Sequence, residues 1–201
     1  IFGFNFYGGL RGVYGNGQPA TNFDALNTSE FTGATNGQQV VRYTTNHDIN
    51  GSDGTPQELY GGLTGSMSAF VAAACMKGIP MIYNGQEVGT PFRLTFPFTS
   101  ADINWTLNPD LKAEYKKIIA FRNSSAAIRG GTLITYSNAN VLAFTKELGA
   151  EKVFILCNTR NSSITYTLPA ALSGTSWTNA ITGTSISLGT SVSLPAYTYL
   201  L

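Results

Sequence analysis

The residues best suited to chemistry follow a short apolar segment in the first half of the chain. Residues 40–45 are rich in β-branched side chains and predict a strand, and Asn46, His47 and Asp48 come directly after it. A carboxylate at a strand end can hold negative charge against a developing oxocarbenium ion, and a neighbouring imidazole can hydrogen-bond to two vicinal hydroxyls of a sugar ring. A purely structural alternative is that His47 and Asp48 only cap the loop through hydrogen bonds to the backbone.

A second polar group follows the next predicted strand, at residues 79–83. This segment ends in Tyr83, Gln86 and Glu87. Adjacent strands lie about 4.8 Å apart, so Asp48 and Glu87 can share one cleft as an acid/base pair, the two carboxylates that glycoside hydrolysis usually needs. The alternative is that Glu87 is a buried structural partner of a neighbouring basic or amide group, with Tyr83 and Gln86 as supports behind the site.

The elements around these residues alternate between strand and helix. Thr55-Pro56-Gln57-Glu58 is a strong helix start with a capping box, and apolar residues at helical spacing over residues 63–75 predict one buried face. Another helix is predicted to begin with Asn108 as its cap and to end near residue 130.

The order strand, helix, strand, helix implies parallel strands with helical crossovers. Both strands end in polar residues, as in a (β/α)8 barrel, where the active site lies at the carboxyl ends of the strands. A barrel needs eight strands, so this half of the chain is either a small open sheet or the last part of a barrel.

From about residue 131 onward the chain contains only strand patterns, separated by turn residues. This alternation of short strands and turns is typical of an antiparallel β-sandwich or barrel. The predicted strands lie near residues 133–136, 141–145, 153–157, 164–168, 186–188, 192–194 and 197–200.

Composition argues against several classes of function. The 12 basic and 11 acidic residues nearly cancel and form no basic stripe, so neither nucleic acid nor an anionic membrane is an expected partner. No segment reaches the ~20 apolar residues of a membrane-spanning helix. A single histidine and two separated cysteines cannot form a typical zinc site, so no metal and no cofactor are expected in this chain. Cys75 and Cys157 lie among apolar residues and are predicted to be buried free thiols, which say nothing about the compartment.

Several further side chains have both a functional and a structural interpretation. Asp53 can line the cleft, although a solvated position in the loop is the simpler expectation. Trp105 can stack on a sugar face, but packing between the two halves of the chain is the favoured expectation. In the second half, Trp177, Tyr136 and Tyr166 can form a carbohydrate platform, with packing at the core or rim as the default.

Two of these segments resemble the strands of a known enzyme family. Residues 42–48, Arg-Tyr-Thr-Thr-Asn-His-Asp, look like the end of the seventh barrel strand of α-amylase family enzymes. Residues 78–87, Gly-Ile-Pro-Met-Ile-Tyr-Asn-Gly-Gln-Glu, resemble the eighth strand. Residues 103–105, Ile-Asn-Trp, resemble the Ile-Asp-Trp that often follows, with Asn in place of Asp. The helix and the all-β region that come next are similar to that family's last barrel helix and C-terminal domain.

The resemblance implies a retaining hydrolase that acts on α-1,4-glucans such as starch, glycogen and maltooligosaccharides. Asp48 would be the third carboxylate, a transition-state stabiliser and not the nucleophile, while His47 and Asn46 would bind substrate. The residues after the next strand would be structural supports: Tyr83, Gln86 and Glu87. The nucleophilic Asp and the acid/base Glu of the family lie on earlier strands, in motifs that this sequence lacks. The chain alone is therefore expected to be inactive.

We accordingly predict an α/β region followed by an all-β region. Residues 1–130 would be the C-terminal part of a (β/α)8 barrel, from about the sixth unit onward, and residues 131–201 an antiparallel β-sandwich. The expected partners are an α-glucan and the N-terminal remainder of the barrel. By the same resemblance, calcium would bind mainly to parts of the intact protein upstream of this chain, and the protein would be extracellular or periplasmic.

Two groups of alternatives stay open. The intact enzyme can be an α-glucosidase, a transglycosylase or a sugar isomerase of the same family, because loop details decide among these. The β-sandwich can also be a carbohydrate-binding module or a purely structural domain.

Overall fold

Helices and two short parallel strands make up the first 130 residues of the computed structural model, which describes residues 1–35, 37–95, 97 and 101–201. A π-helical turn, Arg11–Gly15, continues the first helix, and a 3-10 turn, Gln86–Val88, follows the second strand. The helices are α1 (Phe4–Leu10), α2 (Asn22–Ser29), α3 (Pro56–Leu59), α4 (Gly62–Cys75), α5 (Pro109–Ser124) and α6 (Ala126–Gly130), and the strands are β1 (Val41–Arg42) and β2 (Ile79–Pro80).

The two strands pair in parallel, as the strand and helix order predicts. Val41 lies opposite Ile79, and Phe2 forms a further parallel bridge to Val41 on the other side of β1. Both strands are shorter than predicted. Pro80 has no N–H to donate to the ladder, and after the bond from Met81 N to Arg42 O, at 2.8 Å, the two segments separate.

The helix predicted from Thr55 to Cys75 is divided in two. The capping box is confirmed: Glu58 N donates to Thr55 Oγ1 and Thr55 N donates to Glu58 Oε2. Gly61 and Gly62, with φ of 81° and 84°, then end α3 and allow the chain to start again as α4.

The prediction of one apolar face for α4 is wrong, because every residue from Gly65 to Cys75 is buried. A helix that is enclosed all round must be covered on two sides. The first cover is the helical part of the chain, and the second is the β-region described below.

The expected role of Asn108 as a helix cap also needs correction. Asn108 has a left-handed backbone with φ of 45°, and its side chain makes no capping bond to α5. Its amide instead donates to Val88 O at 2.9 Å, which ties the start of α5 to the turn after β2.

Only strands follow α6, and all of their pairings are antiparallel, as predicted. One four-stranded sheet has the order β10-β5-β4-β3, and two two-stranded antiparallel sheets, β6 with β9 and β7 with β8, complete the domain. β7 is a strand that the sequence patterns did not predict. The strands are β3 (Thr132–Thr135), β4 (Val141–Leu148), β5 (Glu151–Asn158), β6 (Ile164–Thr167), β7 (Ser176–Thr178), β8 (Ser185–Ser187), β9 (Ser191–Leu194) and β10 (Tyr199–Leu200).

The central strands β4 and β5 are buried on both faces, because successive side chains point to opposite sides of a sheet. One face shares a single apolar core with α4, and the other packs inside the β-sandwich. The first face carries Leu142, Phe144, Ile155 and Cys157. The second carries Val141, Ala143, Phe154 and Leu156.

The cysteines are buried free thiols, as predicted. Burial raises the pKa of the Cys75 thiol to about 12, so this thiol is inert at neutral pH.

Arg160 fastens the β-sandwich to the helical region. Its guanidinium donates to Val13 O and Gln18 O, both at 2.8 Å, and to Ala139 O at 2.5 Å. Its Nε donates to Asn140 Oδ1 at 3.0 Å. The helical region with parallel strands, followed by antiparallel strands, confirms the predicted fold class. The division at residues 130 and 131 stays a prediction, and the two regions share one apolar core.

Candidate active site

The loop after β1 is held by Asn46, whose side chain is fully buried. Asn46 Oδ1 accepts from the backbone N–H of Asp48 at 2.9 Å and of Ile49 at 3.1 Å. Asn46 O also accepts from Asn50 N at 3.0 Å, so the chain makes one helix-like turn at this point. An asparagine can form such a turn because its short side chain imitates a backbone carbonyl.

His47 and Asp48 project from this turn into solvent. Each side chain is 58% exposed, and His47 Nε2 lies 3.3 Å from Asp48 Oδ1. The loop is therefore capped by Asn46, while His47 and Asp48 keep their polar atoms accessible to a ligand. The His47 ring also lies 6.3 Å from the Phe2 ring.

An aromatic cluster lies beneath these two residues. Tyr43 is fully buried, and its ring packs at 5.9 Å against Phe2, Phe4 and Tyr7. Burial, with a further effect of the Asp48 carboxylate, raises the pKa of Tyr43 to about 12. Tyr43 is accordingly a neutral, apolar support for the loop that carries Asp48.

Asp53 lies in a loop, as expected, but only 27% of its side chain is exposed and three hydrogen bonds hold it. Asp53 Oδ2 accepts from Tyr7 OH at 2.7 Å and from Arg11 Nη1 at 2.8 Å, and Oδ1 accepts from Ser52 Oγ at 2.9 Å. The Tyr7 hydroxyl is the main cause that lowers the pKa of Asp53. These bonds fasten the end of the Asp48 loop to α1 and to the turn that follows it.

Asn50 is a site residue that the sequence analysis did not single out. It is buried, its Nδ2 donates to Thr45 Oγ1 at 3.1 Å, and its Oδ1 accepts from Leu94 N at 2.7 Å. Asn50 thus joins the Asp48 loop to the segment after β2. The only signal for Asn50 in the sequence is its position four residues after Asn46, and this spacing alone predicts no tertiary contact.

Gln86 and Glu87, in the segment after β2, are less exposed than His47 and Asp48. Gln86 is buried, with Nε2 donating to Tyr115 OH at 3.1 Å and Oε1 accepting from Tyr83 N at 3.3 Å. Glu87 is half-buried, and its Oε2 is enclosed without a hydrogen-bond partner among the described residues. The Glu87 carboxylate also contributes, after burial, to a raised pKa of Tyr115.

Most of the other aromatic residues considered as sugar-binding candidates pack or hydrogen-bond within the fold. Trp105 is 48% exposed, so it is not enclosed between the helical region and the β-sandwich. Trp177 packs against Phe154 and donates Nε1 to Thr175 Oγ1, and buried Tyr166 donates its hydroxyl to the carbonyl of Tyr136. Phe96 and Phe98, in the loop that leads to Trp105, lie outside the described residues.

The described residues contain no group of three or more His, Cys, Asp and Glu side chains that can hold a metal ion. The binding of calcium to upstream parts of the intact protein, which the family resemblance implies, stays an expectation. No described helix is long and apolar enough to cross a membrane.

A family model assigns the C-terminal region. Residues 132–201 match the model described as "Maltogenic Amylase, C-terminal domain". The matched residues include all of the strands that follow α6. No curated protein matches the sequence.

Solved structures with the same fold extend the comparison across the whole chain. The α-amylase of Anoxybacillus is similar at 16% identity with a TM-score of 0.77, covering 98% of this chain and 45% of that one. The cyclic α-maltosyl-(1→6)-maltose hydrolase of Arthrobacter globiformis, in complex with maltose, is similar at 16% identity with a TM-score of 0.72, covering 100% of this chain and 44% of that one. AmyP in complex with maltose gives 18% identity and a TM-score of 0.76, covering 99% and 48%.

The chain thus spans about half the length of the structures it matches. Together with the match of residues 132–201 to that family model, these likenesses confirm the resemblance to the C-terminal portion of α-amylase family glycoside hydrolases. The roles of Asn46, His47, Asp48, Tyr83, Gln86 and Glu87 are not tested by these comparisons and stay predictions.

Proposed function

We propose that this chain forms one wall of the active site of a retaining α-1,4-glucan hydrolase. In this proposal Asp48 is the carboxylate that stabilises the oxocarbenium-like transition state, and His47 and Asn46 position the sugar at the cleavage point. The observation that carries the proposal is the placement of Asp48: an exposed carboxylate on a rigid turn at the carboxyl end of a strand that pairs in parallel with β2.

In this proposal Asn46 acts mainly by holding the loop that carries His47 and Asp48. Its buried amide oxygen is already occupied by two backbone N–H groups, so direct contact with substrate falls to His47 and Asp48. The bonds of Asn50 and Asp53 to neighbouring segments limit the movement of the same loop, which favours a preorganised site.

A complete retaining site needs a nucleophile and an acid/base, and this chain carries neither in the family's motifs. The N-terminal remainder of the barrel is proposed to supply both. Exposed apolar side chains near the two strands support this, since Phe2, Phe4 and Ile79 are 45%, 48% and 48% exposed. Further strands and their helices would cover side chains of this kind.

A structural role for the C-terminal domain is favoured over a separate binding module. Its central strands share one core with α4, and Arg160 donates to carbonyls of the helical region. A module that worked alone would not need to bury its central sheet against the barrel.

The test is expression of the full-length coding sequence that contains this chain, with analysis of the products released from maltoheptaose and soluble starch. We expect hydrolysis with retention of the α-configuration, and Asp48→Asn should lower kcat about 100-fold or more, the order of effect seen when a transition-state contact is removed. Asp102→Asn, at an exposed position, is the matched control and should leave kcat unchanged.

Retained kcat in Asp48→Asn, or starch hydrolysis by the 201-residue chain alone, would contradict the proposal. The product pattern separates the alternatives within the family. Glucose released one unit at a time indicates an α-glucosidase, longer products indicate a transglycosylase, and an isomerised disaccharide indicates an isomerase.

A further inference from the structure

A cavity of about 690 Å³ lies between α4, α5 and the end of the C-terminal domain. None of the residues that surround Asp48 lines it. The cavity is open to solvent, and its volume lies in the range of about 300–1,000 Å³ that is typical of small-ligand sites. The position is distinct from the candidate active site and joins the two regions of the chain.

The lining of this cavity combines an apolar surface with oxygen-rich polar groups. Leu63, Leu111 and Ile181 contribute the apolar surface, and Asp110 and Glu114 contribute carboxylates. No basic side chain is among the described residues that line it. Carboxylates without a nearby cation repel anions but accept hydrogen bonds from hydroxyl groups.

Two tyrosines fix the shape of this cavity. Tyr199 donates its hydroxyl to Glu114, a bond between the C-terminal domain and α5. Tyr197 lies against Gly61 and Gly65 so closely that a Cβ at Gly61 would stand 2.3 Å from the tyrosine hydroxyl. These glycines therefore allow the Tyr197 ring to pass between α4 and the C-terminal domain.

The backbone at this cavity is also unusual. Among the described residues other than glycine, positive φ occurs at Asn108 and Tyr197, at 45° and 54°, and both line the cavity. A bulky residue such as tyrosine adopts this conformation only where the surroundings impose it. Strained residues of this kind cluster at ligand clamps more often than elsewhere.

We propose that this cavity binds a short neutral saccharide at a site separate from the active site. The apolar side chains would contact the C–H faces of the sugar rings, while Asp110 and the second oxygen of Glu114 would accept hydrogen bonds from hydroxyls. The site would hold a glucan strand against both regions of the chain. The inference does not depend on the role assigned to Asp48.

The test is titration of the ¹⁵N-labelled 201-residue chain with maltotriose, followed by amide chemical shifts. Saturable shifts are expected at Ile181, Thr182 and Tyr199. Thr64→Trp, at an exposed position in the first turn of α4, should fill the cavity and weaken binding about tenfold or more, equivalent to about 1.4 kcal/mol. Thr165→Trp, at an exposed position in β6, is the matched control and should bind as the unsubstituted chain does.

A double variant, His47→Ala with Asp48→Ala, separates this site from the candidate active site. Unchanged cavity shifts in that variant support the inference. Shifts confined to the His47 and Asp48 loop, or equal affinity in Thr64→Trp when its amide spectrum shows a native fold, would overturn it while leaving the proposed function intact. Absence of saturable shifts near Ile181 in the unsubstituted chain would also overturn it.

Discussion

The two loops that follow β1 and β2 contain similar polar residues but use them in opposite ways. After β1, buried Asn46 binds the backbone and leaves Asp48 58% exposed. After β2, buried Gln86 bonds to Tyr115, and one oxygen of Glu87 is enclosed. Of the two carboxylates, Asp48 is thus the more accessible one, although Asn84 is also exposed after β2.

The surroundings of the two loops explain this difference. The first loop is fastened to α1 through Tyr7 and Asp53, and it is supported from below by the Tyr43 aromatic cluster. The second is held against α5 through Tyr115 and the bond from Asn108 to Val88 O. One loop therefore presents its carboxylate outward, and the other contributes to the packing between β2 and α5.

The largest effect is expected from Asn46→Ala. This change removes the acceptor of two backbone N–H groups, one of them buried, so the free energy of unfolding should fall by about 2–3 kcal/mol. Urea denaturation of the chain, followed by circular dichroism, measures it.

Asn161→Ala is the matched control for Asn46→Ala, because Asn161 is exposed, and its effect should be within about 0.5 kcal/mol of zero. If both variants have the same stability, Asn46 does not hold the loop, and the contrast between the two strand ends loses its structural basis.

A smaller effect, with a defined pH dependence, is expected from Tyr7→Phe. This change removes the hydrogen bond that contributes most to the lowered pKa of Asp53 and should cost about 1 kcal/mol at pH 7. A carboxyl group with a lowered folded-state pKa stabilises the fold above its ordinary value of 3.8. That stabilisation is lost as the pH falls through the lowered pKa.

Tyr7→Phe should therefore be less sensitive to acid than the unsubstituted chain as the pH falls below about 5. Unfolding midpoints in urea between neutral and acid pH measure the difference, with Tyr136→Phe as the control. An unchanged pH dependence in Tyr7→Phe would show that the Tyr7 hydroxyl does not lower the pKa of Asp53.

How far the sequence predicts these features depends on whether each signal is local. The parallel order, the capping box at Thr55 and the β-region follow from short-range patterns, and all three are confirmed. The burial of α4 on all sides did not follow, because the covering residues of β4 and β5 lie more than 60 positions further along the chain.

The same limit applies within the candidate site. The position of Asp48 after a strand is visible in the sequence, whereas the bonds from Tyr7 and Arg11 to Asp53 span 46 and 42 positions. Asn50 was missed for the same reason, since its bond to Leu94 N spans 44 positions. Sequence patterns thus identify the residues at strand ends, but not the contacts that decide whether they are exposed.

The smallest effect is expected from Glu87→Gln, and it tests the second loop. A carboxylate oxygen that is enclosed without a partner among the described residues costs free energy, and an amide of the same shape removes the charge. The free energy of unfolding at pH 7 should therefore stay the same or rise by about 1 kcal/mol, measured by urea denaturation. In the full-length enzyme, kcat should change less than about tenfold, a barrier change of about 1.4 kcal/mol. A loss of kcat as large as that expected for Asp48→Asn would instead place Glu87 among the catalytic residues, and the contrast between the two strand ends would be wrong.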